Sequence, residues 1–415
     1  MTERVAGQIQ LDMERVLDVL RRVIDRMTVS TQIGRIIMPG PTYLGMWARD
    51  TGVVCLGLNR LGRSELSGEL LRRYWSYQID EHSKPETFIF RNKRFAHWTE
   101  ADAFRPTRDQ LLREVGAFPT SVYIQTPDFP AGTREIYTVR ADLDSVAWLI
   151  IALADYYTSS GDLDILTSLA THVDRAISYL QSRDEDGDLL LEQGANEDWA
   201  DTLLRSGNVS YTQAVWYAAL RAAGTIFAAV QRDGRADQCL TLAGDVAAAI
   251  NGHLLSRYGY YVNYRTDASV SLRRSLDTAL LVAFGVAPDG VADEVLQYLD
   301  TLEGPFGPSV IEPGYVPDDI GPSHYPPGQY HNEGVWPWIS SYLALAQARQ
   351  GQAWRAYDTI CSLFGSQPET IFEWVDNLSG EQHHAEFATG AGALAWAITE
   401  GNLAHLSLGQ DRRAG

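Results

Sequence analysis

The stretch DLDSVAWLIIALADYYTSSGDLDILTSLATHVDRAISYLQS, Asp142 to Ser182, decides the fold. Residues 142–158 and 162–182 each repeat apolar side chains at helical spacing. Between them lies SSGD, Ser159 to Asp162, a tight turn. Two long helices joined this closely must run antiparallel, side by side. The same period recurs along the chain. Residues 8–27 place Ile9, Met13, Val16, Val19, Leu20 and Ile24 on one face. Further helical patterns cover 51–60, 64–79, 209–231, 234–255, 275–286, 290–302, 334–350, 352–365 and 388–401. Strand-like patterns are brief: ETFIFRN at 86–92 and GYYVNYRT at 259–266.

The connections alternate in length. Some are tight turns; others, at 28–50, 80–139, 184–208 and 304–333, are long and irregular. Long loops within compact domains usually carry function. The last is rich in Pro and Gly and holds Tyr315, His324, Tyr325, Tyr330 and His331, which predicts an ordered, ligand-facing loop. About twelve helices with alternating connections predict antiparallel pairs set in a ring, short turns at one end and long loops at the other. That is an all-α fold, an (α/α)6 barrel with a few short strands. No charge block or Gly/Ser linker divides the chain, so residues 1–415 read as one catalytic domain. No fixed sequence period supports a helical repeat array.

Composition narrows the partners. The 415 residues are 45% hydrophobic and carry a net charge of −19. Such a surface repels phosphate backbones and anionic lipid, which argues against nucleic acid and membrane partners and leaves a neutral ligand unpenalised. Cys55, Cys239 and Cys361 are far apart and odd in number, and read as reduced core residues. The charged, amphipathic N-terminus has no signal-peptide pattern, and no apolar run reaches membrane-spanning length; the expectation is a soluble cytoplasmic protein. DEDGD at 184–188 resembles the start of a calcium loop but lacks the remaining ligands, so it reads as an acidic turn. His383 and His384 are adjacent, poor geometry for a shared metal. Phosphate-binding glycine motifs and the G-x-S-x-G elbow are missing. The expectation is chemistry without metal or cofactor.

Carboxylates beside aromatics in loops remain. NEDWADT, Asn196 to Thr202, holds Glu197, Asp198 and Asp201 around Trp199. In YLGMWARDTG, Trp47, Arg49 and Asp50 precede a helix; Asp50 either caps that helix or, with Arg49, grips vicinal hydroxyls while Trp47 offers a flat face. Asp142 and Asp144 precede another helix, and at least one reads as its cap. ETIFEWVDNLSGEQHHAEF sets Glu369, Glu373, Asp376, Glu381 and Glu386 beside Trp374 and two histidines. One carboxylic acid to protonate a leaving oxygen and one carboxylate to activate water are the requirements of glycoside hydrolysis.

These segments resemble the glycogen-debranching amylo-α-1,6-glucosidases and their clan of (α/α)6 inverting glycosidases. YLGMWARDTG is similar to their W-x-R-D segment, and DLDSVAWLIIALADYYTSSGD to their D-x-x-x-W helix. DWADTLLRSGNVSYTQAVWYAALR resembles W-x-D followed by E-I-x-A-L-W-Y-N-A-L, YHNEGVWPW resembles Y-H-N-G-[ST]-V-W-P, and IFEWVDNLSGE resembles S-E-I-x-D. Neutral/alkaline invertases carry cognate segments. The matches run in order from about residue 43 to 400. Glu333 stands where the family has Gly, and Tyr211 where it has Glu. The resemblance implies that Asp201 is the general acid and Glu373 the general base, with Glu197 and Asp198 the runners-up for the acid. It implies a sugar held by Arg49 and Asp50, with Trp47, Asp142, Trp199, Gln213, Tyr330, His331 and Trp336 around it. It implies an exo-acting, inverting α-glycoside hydrolase that releases a terminal glucose-like sugar from a small oligosaccharide or glucoside. The extra domains of large debranching enzymes have no counterpart, which argues against branched glycogen as substrate. A sucrose-cleaving invertase, or a sugar epimerase or sugar-binding protein that uses His331, His383 or His384, stays open beside it.

Overall fold

A computed structural model describes residues 12–91, 103–316, 325–364 and 369–405. The deciding turn forms as its sequence demands. Gly161 ends the first helix at φ +71, a left-handed position that glycine takes without steric cost, and the Asp162 carboxylate accepts from the Ile165 amide to start the next. In chain order the helices are α1 (Met13–Met27), α2 (Ala48–Arg60), α3 (Ser64–Trp75), a short α4 (Arg108–Leu112), α5 (Leu143–Ser160), α6 (Leu163–Gln181) and α7 (Ser210–Ala229). There follow α8 (Asp233–His253), α9 (Ala279–Ala283), α10 (Val291–Leu299), α11 (Pro337–Arg349), α12 (Ala353–Ser362) and α13 (Ala388–Glu400).

Six of these form an inner ring, each packed on the next: α2, α5, α7, α9, α11, α13 and back to α2. The outer six are α1, α3, α6, α8, α10 and α12. Composition sorts the layers. α5 buries residues on every side, from Leu143 round to Tyr156, as a helix surrounded by others must. α1 buries one stripe, Met13, Val16, Leu17, Leu20 and Ile24 among it, and leaves the rest to solvent. The ring closes where its first and last members meet through glycine. A Cβ on Gly57 would lie 2.5 Å from the Gly392 Cα, so the α2 and α13 backbones touch there with no room for a side chain.

Every inner-to-outer connection is short, and every outer-to-inner one is long, as the spacing predicts. The six inner helices therefore all begin at the loop-rich end. Their positive ends and unpaired amides converge there, an environment that favours carboxylates. The long loops are more ordered than their sequence suggests. Gly45–Trp47, Phe88–Arg91, Ala103–Phe104, Ser121–Tyr123 and Arg134–Ile136 make one five-stranded sheet at that end. Of the 259–266 pattern only Tyr264–Arg265 is a strand. The pattern at 275–286 forms a 3-10 turn, Leu276–Thr278, and then the short α9. Asp277 in that turn accepts hydrogen bonds from Trp199 and Arg205 of the loop above it. All three cysteines are free thiols, Cys55 and Cys239 buried and Cys361 half-buried. No helix among the described residues is long and apolar enough to cross a membrane.

Candidate active site

A cavity of about 210 Å³ opens at the loop-rich end of the barrel. Trp47, Arg49, Asp50, Trp199 and Asp201 line it, together with Tyr330, His331, Trp336 and Glu373. These come from four segments far apart in sequence.

The NEDWADT loop separates its three acids. Glu197 is buried against Arg183, 2.8 Å away, and also accepts from the Gly194 amide at 2.7 Å. Asp198 is buried against Arg205 at 2.7 Å, and Arg205 also pairs with Asp277 at 2.9 Å. The Trp199 indole N–H donates to the same Asp277 at 2.7 Å, and the Arg205 guanidinium lies 5.6 Å from the Trp199 ring centre. Two neutralised acids and a clamped tryptophan thus hold the loop, and Asp201 alone of the three faces the cavity. His331 Nδ1 lies 3.8 Å from Asp201 Oδ1 and 2.9 Å from Thr202 Oγ1.

Glu373 sits on the strand Phe372–Val375, paired with Gln382–Ala385. It is 1% exposed. Tyr43 Oη donates to Oε1, and His384 Nδ1 bonds Oε2. That bond raises the His384 pKa; burial works against it, and the Glu373 charge adds to the rise. Burial pushes the Tyr43 hydroxyl well up, with the Glu373 charge adding to it, so Tyr43 remains a donor at neutral pH. Its neighbours on the hairpin do other work. Asp376 accepts from the Leu378 and Ser379 amides and orders the turn, Glu386 pairs with Arg26 of α1, and Glu369 and Glu381 are exposed.

Arg49 and Asp50 lie in the first turn of α2, whose cap position is Trp47, so Asp50 is not the helix cap. Asp50 Oδ1 accepts from Thr389 Oγ1 of α13 at 2.6 Å. Burial raises the Asp50 pKa, against the pull of Arg49. Arg49 is held by Asp144 at 2.9 Å, and Asp144 accepts in turn from the Tyr211 hydroxyl at 3.0 Å. Burial opposes charge on Arg49, but Asp144 and Asp50 outweigh it and keep the guanidinium ionised. Tyr211, at the family's Glu position, is thus the second neighbour of the cavity-lining arginine. Asp142 occupies the cap position of α5 without making a cap bond. Burial, with Asp144 close by, pushes its pKa up to about 8.

Two expected contacts do not reach the cavity lining. Gln213 is fully buried and spends its amide on the Leu191 backbone, accepting from N at 2.9 Å and donating to O at 2.8 Å. Its place corrects the sugar-contact expectation: it fastens the chain entering the acid loop. Asp142 is buried behind Arg49 and also lies outside the lining. The structure adds Tyr43, Tyr137, Thr202, Tyr325, Trp338 and Phe387. Tyr43, Trp338 and Phe387 fall inside or next to segments that the sequence singles out. Tyr137 enters from the five-stranded sheet and accepts from the Trp47 indole at 3.3 Å, and nothing in its sequence context marks it. From the Pro/Gly-rich loop, Tyr325, Tyr330 and His331 face the cavity; Tyr315 instead turns inward to Asn263, and His324 lies outside the described residues. Glu333 takes a left-handed φ of +72, where the family's Gly would be unstrained, and its carboxylate accepts from the Gly314 amide.

Other groups stand apart. The DEDGD turn brings ligand oxygens of Asp184, Asp186 and Asp188 within 4.8 Å of one another, yet these carboxylates accept from the turn's own amides. His383 stacks on Trp374 with ring centres 3.8 Å apart, while His384 bonds Glu373, so the two histidines share no site.

An (α/α)6 barrel with carboxylates and an aromatic wall at its loop end offers the groups that a glycoside hydrolase needs. The chain belongs to the amylo-alpha-1,6-glucosidase family, whose pattern it matches over residues 127–400. It is similar in structure to the GH63 mannosylglycerate hydrolase from Thermus thermophilus in complex with glucose: TM-score 0.62, 13% identity, covering 92% of this chain and 99% of that one. It is also similar to a wild-type glycosidase (TM-score 0.66, 16% identity, 95% of this chain and 100% of that one). A bacterial glucoamylase complexed with acarbose gives a TM-score of 0.60 at 15% identity, covering 87% of this chain and 49% of that one. No curated protein sequence matches the chain.

Proposed function

We propose that this glycosidase is exo-acting and inverting, and releases a terminal glucose-like sugar from a small α-glycoside. The observation that carries the reading is the convergence of Asp201 and Glu373 on one small cavity, each held by a different apparatus. Asp201 would protonate the glycosidic oxygen. Glu373 would take a proton from the attacking water, with Tyr43 fixing its Oε1. Arg49 and Asp50 would bind hydroxyls of the terminal sugar, and Trp47, Trp199 and Trp336 would face its apolar surface. A cavity of about 210 Å³ falls below the roughly 300–1,000 Å³ of sites for larger ligands, which supports one enclosed sugar unit rather than a chain. We read residues 1–415 as a single catalytic domain, because the ring needs both its first and last helices to close.

The test is a screen of p-nitrophenyl α-glucoside and α-mannoside, sucrose and other disaccharides, and α-glycosides of glycerate, the last prompted by the name of the mannosylglycerate hydrolase. New reducing ends identify hydrolysis. Sucrose as the best substrate would favour the invertase reading. Turnover of a free sugar without new reducing ends would replace hydrolysis by epimerisation.

A further inference from the structure

Glu373 and His384 sit directly opposite each other on the hairpin, between the pairs Phe372↔Ala385 and Trp374↔His383. Side chains directly opposite on antiparallel strands share a face. On the other face Trp374 and His383 stack with their planes 6° apart. The hairpin thus carries one side-chain contact on each face, Trp374 on His383 and Glu373 with His384. His384 also holds φ at +53, a left-handed conformation that an ordinary strand residue avoids. Such a conformation persists where surrounding contacts impose it.

Nδ1 of His384 meets Glu373 Oε2, the carboxylate oxygen that Tyr43 does not hold. The imidazole is 46% exposed while the Glu373 side chain is 2% exposed, so the histidine is the more solvent-exposed member of the pair. Among the other titratable groups, His383 turns to Trp374, Glu386 is neutralised by Arg26, the Tyr43 hydroxyl bonds Glu373, and Asp50, Tyr325 and Tyr330 lie close enough to feel the Glu373 charge.

We propose that His384 is a positioning residue that aims the Glu373 carboxylate and, on gaining a second proton, withholds that carboxylate from water, so that His384 sets the acid limb of the pH–rate profile. This rests on the reading of Glu373 as the base. A carboxylate bonded to an imidazolium is a weaker base than one bonded to a neutral imidazole. The hydrogen bond to Glu373 raises the His384 pKa, so protonation persists to higher pH than in a free imidazole. Activity then falls as pH drops through the raised His384 titration, above the ordinary imidazole range and well above that of a carboxylate.

The experiment compares two numbers in the whole protein: the His384 titration midpoint by NMR, and the acid-limb midpoint of kcat/KM on the best substrate of the screen. They should coincide in the wild type, and the NMR midpoint should fall towards about 6.5 in Glu373→Gln. In His384→Asn, whose amide donates and tolerates a left-handed φ, the acid limb should move down by more than one pH unit while KM changes less than about threefold. An acid limb unmoved in His384→Asn, or one that fails to coincide with the wild-type imidazole titration, overturns the proposal; the wild-type comparison decides even if the variant does not fold. Glu373→Gln separates the two levels. Retained turnover in that variant removes the base reading itself, whereas lost turnover with an unmoved limb removes the His384 proposal alone.

Discussion

The same amide substitution should have opposite effects at three acids of one loop. Glu197→Gln leaves Arg183 as a buried cation whose remaining partners, the Tyr179 hydroxyl and the Glu192 carbonyl, are neutral. Breaking a buried pair from one side costs about 3–5 kcal/mol. Unfolding entropy of about 2.1 cal/mol/K per residue, over a chain of this length, makes each kcal/mol worth roughly 1 °C of Tm. The expected loss is therefore about 3–6 °C. Asp198→Asn should cost less, because Asp277 still pairs with Arg205. Asp201→Asn changes a group that faces the cavity at nearly constant size, so Tm should fall less than in Glu197→Gln. Its kcat on a glycoside with a poor leaving group should fall by about 10²–10⁴-fold, and much less on an activated aryl glycoside. Thermal melts and steady-state rates on all three variants check this. Near wild-type kcat in Asp201→Asn, with a 10³-fold loss at Glu197 or Asp198 and unchanged Tm, would refute the assignment.

Glu373→Gln should lose a comparable factor in kcat whatever the leaving group, since water must be activated in every case; turnover of both substrate types would count against it. The first-formed sugar from an α-glycoside should be the β-anomer by NMR, and an α-anomer would require a retaining mechanism. Asp50→Ala and Arg49→Ala should each cut kcat/KM by about tenfold or more, the equivalent of about 1.4 kcal/mol of lost contact with the sugar. Dialysis against a chelator should leave the rate unchanged; a loss restored by calcium would assign the Asp184–Asp188 turn a role in the enzyme.

The barrel was legible because its signal is local. The helical period and the alternation of short and long connections are carried by neighbouring residues, as at Ser159–Asp162. Of the five-stranded sheet only Phe88–Arg91 shows, as the 86–92 pattern, because its strands are two to four residues long and pair across stretches of loop that have no period of their own. The two catalytic candidates were reached through resemblance, and the local chemistry of NEDWADT does not single out Asp201. What separates it from Glu197 and Asp198 is the placement of Arg183 and Arg205, cations that fold back from before and after the loop. Gln213 shows the opposite failure. The resemblance gives it as a sugar contact, yet the backbone at Leu191 claims both of its polar atoms. Nothing local to HH at 383–384 tells the two histidines apart, and strand register is what gives His384 its partner.

The bare-backbone seam between Gly57 and Gly392 also has a consequence for how the chain is made. The two helices that meet there are separated by nearly the whole sequence. At a synthesis rate of about 5–20 residues per second, roughly 17–70 s pass between the emergence of one glycine and the other. Throughout that interval the flank of α2 that α13 will cover has no native neighbour, and a ribosome-bound chain carries an open arc of helices in place of a ring. Thr389 arrives with that final helix, so Asp50 gains its hydrogen-bond donor only when the ring closes. The cavity-lining end of the first inner helix is completed by the last one to be synthesised.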